Sequence, residues 1–210
     1  MLIDLVCPHC QHQQQFQIYP TINVSNEPAL KNLVFNFELF KDTCESCERI
    51  IPVSYATIYH DFDQKFLVVL DPTREKTLQE IDKELEEEFG ELKDYQIRLV
   101  HNPDDLKEKI QLRDSHLDDR LIEIIKQYYV ASAMEKNPDL VLNAVLFNKG
   151  LAHHEIVLIT NQQQKLSAQL DQRILSHLET LYQKKIKELT RPGANRIDAQ
   201  WVALVLEHKH

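Results

Sequence analysis

The chain has 210 residues, 43% hydrophobic and 27% charged, with a net charge of −9. That is apolar material for a packed core of one large or two small domains. Its 3 glycines, Gly90, Gly150 and Gly193, stand too far apart for a phosphate-binding loop, a dinucleotide fingerprint or a nucleophile elbow, and no apolar run nears the ~20 residues that span a bilayer.

From the N-terminus, residues 2–6 and 13–19 predict short strands flanking Cys7-Pro8-His9-Cys10. Pro28 to Phe37 predicts a short helix with Leu30, Leu33, Val34 and Phe37 on one face. Cys44-Glu45-Ser46-Cys47 follows, then strands at 51–59 and 65–70 joined by a turn over Tyr59-His60-Asp61-Phe62-Asp63-Gln64. Leu78, Ile81, Leu85 and Phe89 recur at helical spacing and predict a helix from Thr77, with Gly90 at its C-terminal cap. Its outer face is acidic: Glu80, Asp82, Glu84, Glu86, Glu87 and Glu88.

Tyr95–Val100 predicts a strand. Asn102-Pro103-Asp104-Asp105 then carries an Asn cap, a first-turn proline and acids at the positive end of a helix holding Leu106, Ile110 and Leu112. Ser115 with Asp118 three residues on predicts the start of another helix, whose buried stripe is Leu117, Leu121, Ile124, Ile125 and Tyr128. Asn137-Pro138 stops it and marks the expected boundary between domains at 1–136 and 137–210. Beyond it, strands at 140–147 and 154–160 are joined at Asn148-Lys149-Gly150. A long helix over 165–189 turns Leu166, Leu170, Ile174, Leu178, Leu181 and Leu189 inward. Arg191-Pro192-Gly193 breaks it before a last strand at 199–206 carrying Trp201.

The cysteines are 4 in number and fall in two C-x-x-C pairs with none left over. A thiolate pair two residues apart grips one metal ion from one turn of backbone, and two such turns complete a tetrahedral four-sulfur site. Three readings compete: one zinc held by Cys7, Cys10, Cys44 and Cys47; two redox dithiols; four unrelated core cysteines. A redox pair needs its nucleophilic thiol at a helix N-terminus, whereas Cys7 leads into Gln-rich extended sequence and Cys47 into a strand. A disulfide closing so short a loop stabilises by about 2 kcal/mol, against the ~10–16 kcal/mol of apparent binding energy that structural zinc supplies in small peptides. Zinc is therefore the expected cofactor, with His9 and His12 as spectators. Zinc knuckles often carry glycine after the second cysteine, where positive φ is easy; here Gln11 and Glu48 stand there.

With those residues in view, the chain resembles the bacterial CpXC family. The resemblance runs through Cys7-Pro8-His9-Cys10, Ile22-Asn23-Val24, Pro28-Ala29-Leu30-Lys31, Glu38-Leu39-Phe40 ahead of Cys44, and Tyr59-His60-Asp61. It continues through Leu106-Lys107-Glu108-Lys109-Ile110 and Leu117-Asp118-Asp119-Arg120-Leu121-Ile122-Glu123, covering about residues 1–130. Glu45 replaces a proline common in the family, and His116 a glycine; both bear on backbone turns and leave the ligands intact. The resemblance implies a zinc-ribbon-like fold and no particular activity.

Two other clusters invite chemistry. His60, Asp61 and Asp63 gather an imidazole and two carboxylates that suit acid–base work or a divalent metal, although a turn also needs aspartates for local backbone bonds. Asp118, Asp119 and Arg120 form an acid pair beside an anion clamp, or equally a dipole-stabilised helix start with Arg120 paired to Asp114 or Asp119. His153-His154 beside Glu155 reads as an exposed strand start.

Charge bears on partners. Residues 1–71 carry 4 basic and 9 acidic side chains, residues 72–136 carry 11 and 17, and residues 137–210 carry 9 and 7. An acidic cysteine module argues against nucleic acid, which demands a basic surface. Lys184, Lys185, Lys187, Arg191 and Arg196 read as a solvated helix face. The N-terminus lacks the basic start and length of a signal peptide, so a cytoplasmic, reducing setting is expected. The expected fold is α+β: a zinc-ribbon-like four-cysteine module with a helical insertion, then a small β-β-α-β unit. The expected role is a non-enzymatic interaction or adaptor module with a protein partner. A hydrolase using one of the His/Asp clusters and a thiol redox sensor are the alternatives.

Overall fold

The computed structural model describes residues 1–150 and 153–207. The chain forms two compact units, one of residues 1–107 with 193–195, the other of residues 108–192 with 196 onward.

In the first unit, β1 (Leu2–Val6) and β2 (Gln13–Gln17) form an antiparallel hairpin around the first cysteine pair. After β3 (Thr21–Asn23), α1 (Ala29–Phe35) and a 3-10 turn at Glu38–Phe40, β4 (Lys41–Thr43) and β5 (Ile50–Pro52) form the same kind of hairpin around the second. The single strand expected at 51–59 is thus two, β5 and β6 (Thr57–Asp61): the Val53 N–H still extends the β4–β5 ladder by donating to the Phe40 carbonyl at 2.9 Å, whereas β6 pairs with β3 and with β7 (Phe66–Leu70). β6 also takes in Tyr59, His60 and Asp61, which the sequence places in a turn; the reversal to β7 comes later, capped by Asp61.

Helix α2 (Leu78–Phe89) links β7 to the parallel β8 (Gln96–Val100). Thr77 and Glu80 exchange side-chain and backbone bonds as a capping box, and Gly90 ends the helix at φ 76°. Ile81 and Leu85 bury against Leu67, Val69, Ile97 and Leu99, the face that alternation assigns to the core. The strand β12 (Ala194–Asn195) adds alongside β8, completing the order β12-β8-β7-β6-β3. α3 (Pro103–Asp114) starts where predicted, with the Asn102 side chain accepting from the Asp105 N–H at 2.8 Å.

In the second unit, α4 (Asp119–Lys136) packs on a three-stranded sheet of β9 (Leu142–Lys149), β10 (His154–Thr160) and β11 (Lys165–Gln169), and on α5 (Gln172–Leu189) and α6 (Ala199–Leu206). Its core gathers Ile122, Ile125, Phe147, Ile156, Trp201 and Val202. The mixed α and β character is as expected, but this unit departs from β-β-α-β in two elements.

Residues 165–169 are a strand and not the first turn of the long helix. They pair along β10, and the helix begins only after Asp171, whose side chain accepts from the Arg173 N–H at 2.8 Å. The buried stripe of α5 is accordingly Leu175, Leu178, Tyr182 and Ile186, with Leu181 exposed. The expected last strand is α6: Asp198 caps it by accepting from the Trp201 N–H at 3.0 Å, and Trp201, Val202 and Val205 bury one face. A short, almost wholly apolar run has no period to separate the two states. Likewise the cap of α4 is Asp118 and not Ser115, since His116 adopts φ 54° and detaches Ser115 from the helix.

Candidate metal centre

Each cysteine pair occupies the turn of its own hairpin, and the two turns share one hydrogen-bond pattern. Cys7 N–H donates to the His12 carbonyl at 2.9 Å and Gln11 N–H to the Cys7 carbonyl at 3.0 Å. Cys44 N–H donates to the Arg49 carbonyl at 2.9 Å and Glu48 N–H to the Cys44 carbonyl at 2.9 Å. Both turns close through a left-handed residue, Gln11 at φ 62° and Glu48 at φ 59°. The turn geometry that favours glycine is therefore kept with side chains in place, at a cost of about 1–2 kcal/mol each.

The two turns face one another. Cys7 Sγ lies 3.7 Å from Cys47 Sγ and Cys10 Sγ lies 3.5 Å from Cys44 Sγ. All four sulfurs fall within 4.8 Å of one another. A tetrahedron of sulfurs about 2.3 Å from a central zinc has edges of about 3.8 Å, so the spacing fits a metal ion at the centre. Cys7 and Cys44 are fully buried against Leu5 and Ile51, while Cys10 sits at the surface.

The thiols titrate unequally. Burial raises Cys7, but the backbone N–H groups of His9 and Cys10 and the neighbouring sulfurs outweigh it, and its pKa falls to about 6. The Arg49 N–H lowers Cys47, but burial and three sulfur neighbours push it up to about 12. Ligation needs deprotonated sulfurs, so a metal ion taken up by this cluster would displace protons from it.

The hairpins are joined through the buried Gln14 on β2. Its Nε2 donates to Asp42 Oδ2 at 2.7 Å and to the Thr43 carbonyl at 3.1 Å, and its Oε1 accepts from the Glu45 N–H at 3.1 Å. Sequence reasoning passed over this residue; a glutamine in a Gln-rich strand gives no sign that it faces inward. His9 bonds Arg49 at 3.3 Å and His12 faces Glu45 at 3.8 Å, and neither belongs to the sulfur cluster.

The other predicted residues are placed as follows. His60 is buried, with Nε2 3.2 Å from the Tyr95 hydroxyl and its ring against Phe89; burial lowers its pKa, outweighing Asp61 and Glu88. Asp61 points to its own turn and accepts from the Gln64 N–H and side-chain amide, both at 3.0 Å. Asp63 is exposed. Successive strand residues face opposite ways, and among the described residues only the four cysteines form a metal-sized group. Asp118 forms a bidentate pair with Arg120, 2.7 Å at the closest, whereas Asp119 is buried 3.2 Å from Lys109. Arg120 thus pairs with Asp118, not with Asp114 or Asp119 as read from the sequence.

A buried ionic cluster in the second unit was not singled out from the sequence. Lys126 Nζ bonds Glu108 at 2.5 Å and Glu123 at 3.0 Å, Lys109 Nζ bonds Glu123 at 3.2 Å and the Ile197 carbonyl at 3.0 Å, and Glu108 accepts from the Phe147 N–H at 2.7 Å. Burial outweighs Lys126 at Glu108 and raises it to about 7; at Glu123, burial is outweighed by Lys109 and Lys126, which pull it down. These bonds consume the polar atoms concerned and fasten α3, α4 and β9 together.

A family model described as CpXC protein matches residues 5–126, a span that holds all four cysteines. No curated protein and no solved structure matches the chain. No helix among the described residues is long and apolar enough to cross a membrane.

Proposed function

The chain belongs to the CpXC protein family, and from that premise we propose that it is a zinc-stabilised, non-enzymatic interaction module acting on a protein partner. The observation that carries the proposal is the meeting of four sulfurs within 4.8 Å of one another, two of the pairs at 3.5 and 3.7 Å, from turns more than thirty positions apart. With all four coordination positions taken by thiolates, zinc has no open site for substrate, and its work is to hold two hairpins face to face as a zinc ribbon. The metal ligands are Cys7, Cys10, Cys44 and Cys47. The acidic balance of residues 1–71 favours a basic protein surface over nucleic acid. The dispersal of His60, Asp61 and Asp63 supports a non-catalytic reading, as does the use of Asp118 and Arg120 in a helix cap. A reducing compartment suits free thiolates.

Metal analysis of the reduced, purified chain tests the reading. One zinc per chain, with loss of the first unit's structure on chelation, is the expected result. Metal-free protein with an intact first unit overturns it.

A further inference from the structure

Strand β1 leaves one edge open. Met1 and Ile18 exchange both backbone hydrogen bonds, at 2.8 and 2.9 Å, and Cys7 N–H bonds the His12 carbonyl. Antiparallel pairing alternates, so Met1, Ile3, Leu5 and Cys7 face β2, while the N–H and C=O groups of Leu2, Asp4 and Val6 face away from it. Among the described residues no further strand lies on that side of the two-stranded sheet. The side chains of the same three residues are exposed, Leu2 at 62% and Val6 at 46%. A ribbon thus presents unpaired backbone groups and two bare aliphatic side chains, features that proteins ordinarily blunt.

We propose that β1 is a docking edge for an extended peptide strand of a protein partner, with a basic residue opposite Asp4 and aliphatic residues opposite Leu2 and Val6. This names the partner class within the interaction reading above and rests on it. Backbone bonds supply the affinity and alternate side chains the selectivity. Charge decides the occupant. If a second copy paired along the whole strand, Leu2 would oppose Val6 and Asp4 would oppose Asp4, and like charges directly opposite are destabilising. A partner strand with Lys or Arg at the centre removes that repulsion and also meets the module's net negative charge.

The test uses the full chain, zinc-loaded and ¹⁵N-labelled, titrated with a short capped peptide alternating Thr and Val around a central Arg, and with its twin carrying Glu in place of that Arg. The Arg peptide is expected to shift the amide signals of Leu2, Asp4 and Val6. Asp4→Lys is expected to weaken it by about tenfold and to favour the Glu twin, and Asp4→Asn, which keeps the shape, to weaken it less. Unchanged zinc content in both variants shows that they fold. Absent shifts, shifts outside β1, or equal binding by Asp4→Lys overturns the inference. If instead a native partner cross-links elsewhere on zinc-loaded protein, the docking edge fails while the interaction reading stands.

Discussion

Gln14 donates to Asp42 across 2.7 Å, and through this contact the hairpin carrying Cys7 and Cys10 holds the one carrying Cys44 and Cys47. The same amide also receives the Glu45 N–H, directly beside Cys44. Gln14 therefore positions the turns that carry the four thiols without belonging to the sulfur cluster, the place from which outer groups tune the affinity of a metal site.

Gln14→Leu leaves that N–H and a carboxylate oxygen unpartnered. Zinc affinity should fall by about 10–100-fold, read by competition with a chromogenic chelator in reduced protein. An affinity equal to wild type would show that the sulfurs alone align the turns.

Gln11→Gly and Glu48→Gly relieve the two left-handed positions. Each should raise stability by about 1 kcal/mol, because the strain of a side chain at positive φ exceeds the entropy that glycine loses on folding. Thermal unfolding of the zinc-loaded chain measures it; a lower midpoint in both variants would mean that these side chains make contacts worth more than the strain.

Gly193→Ala should destabilise the first unit by about 1–3 kcal/mol. Gly193 sits at φ +83°, and an added Cβ would lie 2.5 Å from Asp82 Oδ1. Asp82 cannot simply swing away, since that oxygen accepts the Ala194 N–H and so holds β12 beside β8. Hydrogen exchange at Ala194 and Asn195 reports the loosening.

Glu108 gives the second unit a pH dependence. Burial raises its folded pKa to about 7, above the unfolded value, so the folded state binds more protons and this group's contribution is full at low pH. It declines as pH rises from about 4.5 to 7. Glu123 is lowered and acts oppositely, its contribution being lost as pH falls. Glu108→Gln should remove a decline on the order of 2 kcal/mol between about pH 5 and 8, seen as a flatter pH profile in denaturant titrations. An unchanged slope would place the titration elsewhere.

Elements with a strong local signal were legible in the sequence. The spacing of Leu78, Ile81, Leu85 and Phe89 gave α2, and Asn102 marked the start of α3. Lys165–Gln169 was misread because its residues suit a helix, and only pairing with β10 makes them a strand. Residues 199–206 were misread for the opposite reason: a run apolar at nearly every position fits either period, and the deciding signal was the single cap Asp198. Glu108, Lys109, Glu123 and Lys126 gave no sequence sign of their burial, because burial is a property of what packs over a residue and leaves no mark on the residue itself.

The spacing of the cysteines by itself determined that two turns of backbone would each present a pair of thiols, since that follows from a few adjacent dihedrals. Which turns meet, which polar side chains turn inward and which strand edge stays open were decided only by the tertiary structure. Those outcomes depend on contacts between residues remote in the chain, where local periodicity carries no information and the packing of whole elements sets the result.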